Sequence, residues 1–234
     1  MQQDDSDTGT PEKRAIRSFV MRQGRITRAQ ERALAELWPS LGIGYKPAPL
    51  DLDQVFGRRA ARILEVGIGD GETLVELATR RPDADFLGIE VHRPGIGHCL
   101  LGIEAGALTN VRVSNHDAVE VLQHQLPAGS LDELLLYFAD PWPKKRHHKR
   151  RIVQPPFVAL VASRLRPGGM FRLATDWAPY AAHMLEVLGA STDFVNTSPS
   201  GDYIARPAER PETKFERRGQ RLGHEVFDLA FQRR

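Results

Sequence analysis

The sequence predicts an α/β protein, a doubly wound and mostly parallel seven-stranded sheet with helices on both faces and an antiparallel last strand. Three observations lead there. From Ala61 onward, short apolar or β-branched runs alternate with segments of helical period, as parallel strands joined by crossover helices do. Leu134-Leu135-Leu136-Tyr137-Phe138-Ala139 is an unbroken apolar run, the signature of a central strand buried on both faces. Gly67-x-Gly69-x-Gly71 stands between the first strand and its helix, the context in which a backbone loop approaches a nucleotide-type ligand.

In chain order, residues 1–12 are polar and acidic without periodicity and read as a disordered tail. Residues 13–59 read as a basic arm and linker. Lys13, Arg14, Arg17, Arg22, Arg25, Arg28 and Arg32 are opposed only by Glu31, which fits either a solvated face or an RNA contact. Thr27 has the chemistry of an N-cap for a helix to Leu37, and the Gly/Pro-rich stretch from Leu41 to Leu50 reads as a linker or docking segment. Residues 60–234 form the main domain. Its strands are expected at Ile63–Val66, Phe86–Val91, Asn110–Ser114, Leu131–Ala139 and Met170–Thr175, with a closing pair at Phe194–Asn196 and Glu225–Phe231. Helices are expected after Glu72, Pro94, Asp117, Pro155 and Trp177, and Pro167-Gly168-Gly169 is expected to stop the fourth of them.

The net charge is only +2 with 26% charged residues, so any nucleic-acid surface must come from local segregation of charge. A single cysteine, Cys99, excludes an intrachain disulfide framework and a multi-cysteine metal site. No apolar run of about 18 residues and no leader pattern is present, so a soluble, cytoplasmic protein without a membrane partner is expected.

The chemistry concentrates in Asp140-Pro141-Trp142-Pro143 and the run Lys144-Lys145-Arg146-His147-His148-Lys149-Arg150-Arg151. Asp140 leaves the central strand at its carboxyl end, where ligands of open α/β sheets bind. Glu65, Glu90 and Asp117 leave other strands toward the same edge, and Asp176 ends the fifth. Each alone reads equally as a surface acid or a helix cap. Together they suit a cationic ligand, because Glu72 stands where a G-x-G-x-x-G dinucleotide loop needs a glycine, and Asp70 opposes a pyrophosphate. Thr213-Lys214-Phe215-Glu216 fits either a capping box or a segment that closes over a substrate. The adjacent His147 and His148 make poor joint metal ligands, and no metal is expected.

These motifs resemble the bacterial tRNA (guanine-N7-)-methyltransferases, a class I S-adenosylmethionine-dependent family with a Rossmann-like fold. The resemblance rests on Arg17-Ser18-Phe19-Val20, Gln23-Gly24-Arg25, Glu65-Val66-Gly67-Ile68-Gly69, Gly88-Ile89-Glu90-Val91-His92, Asp117-Ala118, the Asp140–Arg151 segment, Ala174-Thr175-Asp176-Trp177 and Arg210-Pro211-x-Thr213-Lys214-Phe215-Glu216. It implies methyl transfer from S-adenosylmethionine to N7 of a guanine in the variable loop of tRNA, with S-adenosylhomocysteine as product. By the same resemblance, Glu65, Gly67, Gly69, Glu90, Asp117 and Asp140 hold the cofactor, and Asp140 is also catalytic. Lys144, Asp176, Thr213, Lys214, Phe215 and Glu216 bind substrate, and Arg146, His147, His148, Lys149, Arg150 and Arg151 lie on the RNA. The enzyme is expected to be a monomer or homodimer. Two positions depart from the family pattern: Ala139 replaces a proline before the aspartate, and Asp70 an apolar or small residue. A methyltransferase acting on an exocyclic amine and an RNA-binding protein with a vestigial site are the competing readings.

Overall fold

The computed structural model describes residues 17–20, 24–221, 223 and 225–234. The expected tail at 1–12 and the arm residues Lys13, Arg14 and Arg22 lie outside the described residues. Helix α1 (Arg28–Glu36) opens as its sequence predicts, with a complete capping box between Thr27 and Gln30. It packs against the later helix Arg93–Ala105, with Ala33 fully buried and Gln30 close against Gly97. A short helix α2 (Trp38–Leu41) leads into β1 (Gly42–Ile43), and α3 (Leu52–Phe56) precedes the main alternation. That alternation runs β2 (Ala61–Val66), α4 (Glu72–Arg80), β3 (Ala84–Ile89), α5 (Arg93–Ala105), β4 (Val111–Ser114), α6 (Ala118–His124), β5 (Leu131–Tyr137), α7 (Pro155–Arg164), β6 (Leu165–Thr175) and α8 (Ala178–Gly189). The chain closes with β7 (Phe194–Asn196), α9 (Lys214–Arg221) and β8 (Phe227–Arg233).

Among the described residues the strands form one eight-stranded sheet in the order β1-β4-β3-β2-β5-β6-β8-β7. The strands from β1 through β6 pair in parallel, while β8 runs antiparallel to both β6 and β7. The eighth strand is the difference from expectation. β1 pairs Gly42 with Val113 and Ile43 with Ser114 at the sheet edge. Two residues carry no period-two signal, so this edge strand reads as linker in the sequence. A second difference lies in β6, which starts at Leu165 directly after α7. Pro167-Gly168-Gly169 sits inside its first half, where the register against β5 shifts between Leu131 and Glu133.

The core divides into two apolar layers on the two faces of the sheet. One includes Leu64, Leu134, Leu136, Val158, Val161, Phe171, Tyr180 and Met184, and the other includes Ala33, Ile63, Phe86, Ile96, Leu100 and Leu135. The alternation Leu134, Leu135, Leu136 therefore sends neighbours of one strand to opposite layers, which is why β5 is apolar throughout. Chain order reverses between β2 and β5, whose carboxyl ends lie side by side. A crevice at such a reversal is where ligands of open α/β sheets bind.

Gly67, Gly69 and Gly71 all hold left-handed φ angles, +76°, +57° and +79°. Gly95 of α5 packs against this loop so closely that a Cβ there would run into the Gly69 carbonyl. Gly95→Ala must displace backbone rather than a flexible side-chain end. It is expected to destabilise the protein by about 1–3 kcal/mol. Thermal denaturation checks this, and an unchanged melting temperature would show that helix and loop yield freely.

Candidate active site

The carboxyl ends of β2, β3, β4 and β5 surround a cavity of about 720 Å³. Gly67 and Gly69 line it from the first loop, Glu90 and His92 from the second, His116 and Asp117 from the third, and the stretch from Leu136 to Pro143 from the last. A water-sized chamber of about 30 Å³ shares Gly67, Tyr137 and Phe138 with it and is lined further by Glu65, Asp70, Thr73 and Thr213. The carboxylates predicted at successive strand ends thus do converge.

They differ in state. Glu65 is 3% exposed, and among the described residues its Oε2 finds no hydrogen-bond partner. Burial, with a smaller contribution from Glu90, pushes its pKa up to about 8. Glu90 is tied into the backbone instead. Its Oε2 accepts the Gly69 N–H at 2.9 Å, and its Oε1 accepts the N–H groups of Val91 and His92, each at 2.8 Å. The carboxylate thereby fixes the glycine loop against the end of β3. Asp117 is the N-cap of α6, accepting the Val119 N–H at 2.9 Å. Capping and cavity lining are thus combined in one side chain. Asp70 does not cap α4, whose N-cap is Gly71 without a side-chain bond.

Asp140 is exposed on the cavity rim. Its turn is held in unusual geometry. Phe138 and Trp142, two residues to either side, have φ of +54° and +45°. Left-handed backbone at large non-glycine residues costs on the order of 1–3 kcal/mol and persists only where surrounding contacts enforce it. Around Pro141 and Trp142 those contacts come from the basic run. Arg151 is 4% exposed and donates from Nε to the Pro141 carbonyl at 2.9 Å, with its guanidinium 5.0 Å from the Tyr180 ring. Arg150 stacks over Trp142 at 4.0 Å and donates to the carbonyls of Arg17 (3.1 Å) and Phe19 (2.8 Å). Trp142 Nε1 donates to the Ser18 carbonyl at 3.0 Å.

Two cations expected on RNA therefore face the protein. Arg151 braces the aspartate turn, and Arg150 ties down the arm. The reason is geometric: the segment Lys145–Arg150 forms a 3-10 helix, which sends consecutive side chains in different directions. Lys144, Lys145, Arg146 and Lys149 are exposed, while His147 and His148 are half-buried. His147 meets Trp142 edge-on at 5.9 Å, and partial burial plus its cationic neighbours pull its pKa down.

Asp176 sits half-buried at the end of β6 and does not line the cavity. Thr213 caps α9, its hydroxyl accepting the Glu216 N–H at 3.1 Å. The side chains of Lys214 and Phe215 lie outside those described. Glu216 completes no capping box: it is 1% exposed and paired with Arg210 (2.6 Å) and Arg206 (3.1 Å). It faces the protein interior instead of the rim. Sequence reasoning missed His92, His116 and the Ser18–Val20 stretch as cavity walls. It also missed Tyr45, which stacks on His116 at 3.7 Å. Position next to Glu90 and Asp117 could have flagged the two histidines, whereas Tyr45 sits in a stretch whose composition says only "linker".

The protein family described as "Putative methyltransferase" matches residues 59–229. A tRNA (guanine-N(7)-)-methyltransferase of Alkalilimnicola ehrlichii is 59% identical over 232 residues, spanning 98% of this chain and 96% of that protein. One of the same name from Yersinia pestis is 55% identical over 221 residues, spanning 94% and 92%. Among solved structures, the 16S rRNA methyltransferase KamB superposes with a TM-score of 0.56 at 19% identity, covering 78% of this chain and 92% of its own. That likeness establishes the shared fold. Among the described residues no helix is long and apolar enough to cross a membrane, and no group of three or more His, Cys, Asp or Glu is placed to hold a metal ion.

The raised pKa of Glu65 makes stability pH-dependent. Between the ordinary carboxylate value and about pH 8 the folded state holds a proton that the unfolded chain lacks. This contribution is fully present at the acid end and is lost as pH rises through about 8. Over that window the melting temperature of the ligand-free protein should fall relative to that of Glu65→Gln. Parallel curves for the two proteins would refute a protonated Glu65.

Proposed function

The chain belongs to the tRNA (guanine-N(7)-)-methyltransferase family, and from that premise we propose how its residues share the work of methylating N7 of guanine in tRNA. The observation that carries the assignment is a pair of carboxylates at the carboxyl ends of β2 and β5, which border cavities with shared lining: Glu65, buried with its Oε2 unpaired among the described residues, and the exposed Asp140. An uncompensated carboxylate at this depth fits a ligand that brings its own cation. S-adenosylmethionine does so: when bound it supplies an ammonium group and an electrophilic methyl group on a positively charged sulfur. Glu65 would take the ammonium end. Glu90 retains acceptor capacity beyond its three backbone bonds for ribose hydroxyls, and Asp117 would face the adenine.

Guanine N7 carries a free lone pair, so no proton has to leave before it attacks. This chain accordingly needs no strong general base, and its contribution is to orient and to balance charge. Orientation alone can supply as much as ~7–11 kcal/mol. Positive charge grows on the purine during transfer, and the Asp140 carboxylate is placed to stabilise it. The enforced turn between Phe138 and Trp142 fixes that carboxylate before substrate arrives. By the family resemblance Asp176 and Thr213 would supply polar groups for the guanine edge and so select guanine over adenine, although neither lines the larger cavity. Lys144, Lys145, Arg146 and Lys149 offer exposed charge for phosphates, and the target guanine lies in the variable loop, splayed from the tRNA core.

Two outcomes test this reading. Asp140→Ala should lower methyl transfer to tRNA by at least ~100-fold with tRNA affinity nearly unchanged. The nucleoside released from wild-type product should be 7-methylguanosine from the variable loop. Turnover near wild type in the variant, or a methyl group on an exocyclic nitrogen, would overturn it. Binding of S-adenosylhomocysteine near neutral pH should release up to about one proton from Glu65. Calorimetry in buffers of differing ionisation enthalpy reads this directly, and a buffer-independent heat would remove Glu65 from the ammonium site.

A further inference from the structure

Arg210 is only 2% exposed, so it has no open surface on which to meet RNA. Four of its five N–H donors go to two carboxylates. Nε and Nη2 donate to the two oxygens of Asp228 at 2.7 and 3.0 Å, and Nη1 and Nη2 donate to the two oxygens of Glu216 at 2.6 and 3.2 Å. Asp228 belongs to β8, hydrogen-bonded to β6, whereas Glu216 lies in the first turn of α9. The planar guanidinium is therefore a rigid two-sided fork joining the sheet to the segment that carries Thr213. That segment is fastened at its other edge too, by Arg217 to Glu72 of α4 at 3.7 Å and by Arg80 to the Glu209 carbonyl at 3.3 Å.

The same guanidinium lies 5.9 Å from the ring centres of both Tyr137 and Phe138. Those rings end β5, and Phe138 holds the left-handed φ that begins the Asp140 turn. They also line both the cavity and the Glu65 chamber, and Thr213 lines the chamber as well. One buried cation thus faces two rings of the chamber wall directly and is linked to Thr213 through Glu216, whose N–H the Thr213 hydroxyl accepts. A buried ion-pair cluster adds little stability over apolar residues of similar volume, because desolvation offsets its Coulomb attraction. What it does supply is fixed relative placement.

We infer that Arg210 is a positioning residue for methyl transfer. Its paired carboxylates seat Thr213 over the Glu65 chamber, and its face holds the Phe138 turn that presents Asp140. Glu216 acts through Arg210 and does not touch guanine. The inference rests on the methyl-transfer reading above.

The test compares Arg210→Lys, Arg210→Met, Glu216→Gln and the double variant Arg210→Met/Glu216→Gln. Formation of 7-methylguanosine on tRNA gives kcat and the KM for tRNA, calorimetry gives the affinity for S-adenosylhomocysteine, and melting reports folding. Arg210→Lys keeps the buried charge but loses the fork. It should fold, with kcat down about 10- to 100-fold, S-adenosylhomocysteine affinity down several-fold, and the KM for tRNA within about twofold of wild type. The double variant should be no slower than Arg210→Met, since both changes break one unit. A folded Arg210→Lys with wild-type kcat and cofactor affinity would overturn the inference. So would additive losses with a raised tRNA KM in Glu216→Gln, which would make Glu216 a substrate contact. If neither Arg210 variant folds, Glu216→Gln decides: lowered kcat at constant tRNA KM supports the proposal, and the reverse defeats it. Should wild type itself form no 7-methylguanosine while Arg210→Lys still weakens S-adenosylhomocysteine binding, the reading of the reaction fails and the seating role stands.

Discussion

A carboxylate held out of water, with one oxygen unpaired among the described residues, is the constraint around which this molecule is arranged. Glu65 reaches that position because it is the penultimate residue of β2, with neighbouring strands on both sides. A fold tolerates such a group by keeping it protonated, and the upward shift of its pKa expresses that. The arrangement costs stability above the pH at which the proton leaves. Glu90, one strand away, shows the opposite solution, with its charge dispersed over three backbone N–H groups. Two acids at neighbouring strand ends thus meet different surroundings: one is held by the loop's backbone, the other is buried and shifted toward its protonated form.

Arginine plays the complementary part. Arg151, Arg150 and Arg210 approach the aspartate turn from different directions, and each contacts an aromatic ring as well as hydrogen-bond acceptors. The guanidinium suits this because its plane stacks on rings while its edge donates in fixed directions, which an ammonium cannot do. The left-handed residues Phe138 and Trp142 lie under two of these contacts. Backbone strain at the rim is balanced by cation–ring and cation–carbonyl interactions a few ångströms away. The basic run is consequently a mixture, part surface charge and part internal bracing, although its sequence looks uniform.

Much of the architecture was legible because parallel strands buried on both faces need continuous apolar runs, and their connecting helices need an apolar stripe. Those patterns located β2, β3, β4, β5, α4, α7 and α8, and Thr27 and Asp117 announced their helices by capping chemistry. The two-residue β1 was not legible, since pairing with β4 is its only definition. Nor was the inward turn of Glu216: the spacing Thr213 to Glu216 satisfies a capping box, but a buried Arg210 six residues before it competes for the carboxylate and wins. A charged bidentate contact outweighs a cap made to a neutral N–H.

The sequence by itself determined the fold class, the strand ends and the set of acids gathered at them, because burial and helix capping act over a few neighbouring residues and leave local patterns. Tertiary structure alone decided which charges face a ligand and which are spent on the protein. That choice depends on what stands opposite each side chain. Arg150 reaches back 133 residues to Arg17, Arg151 10 residues to Pro141, and Arg210 18 residues to Asp228 and more than 70 to Tyr137 and Phe138.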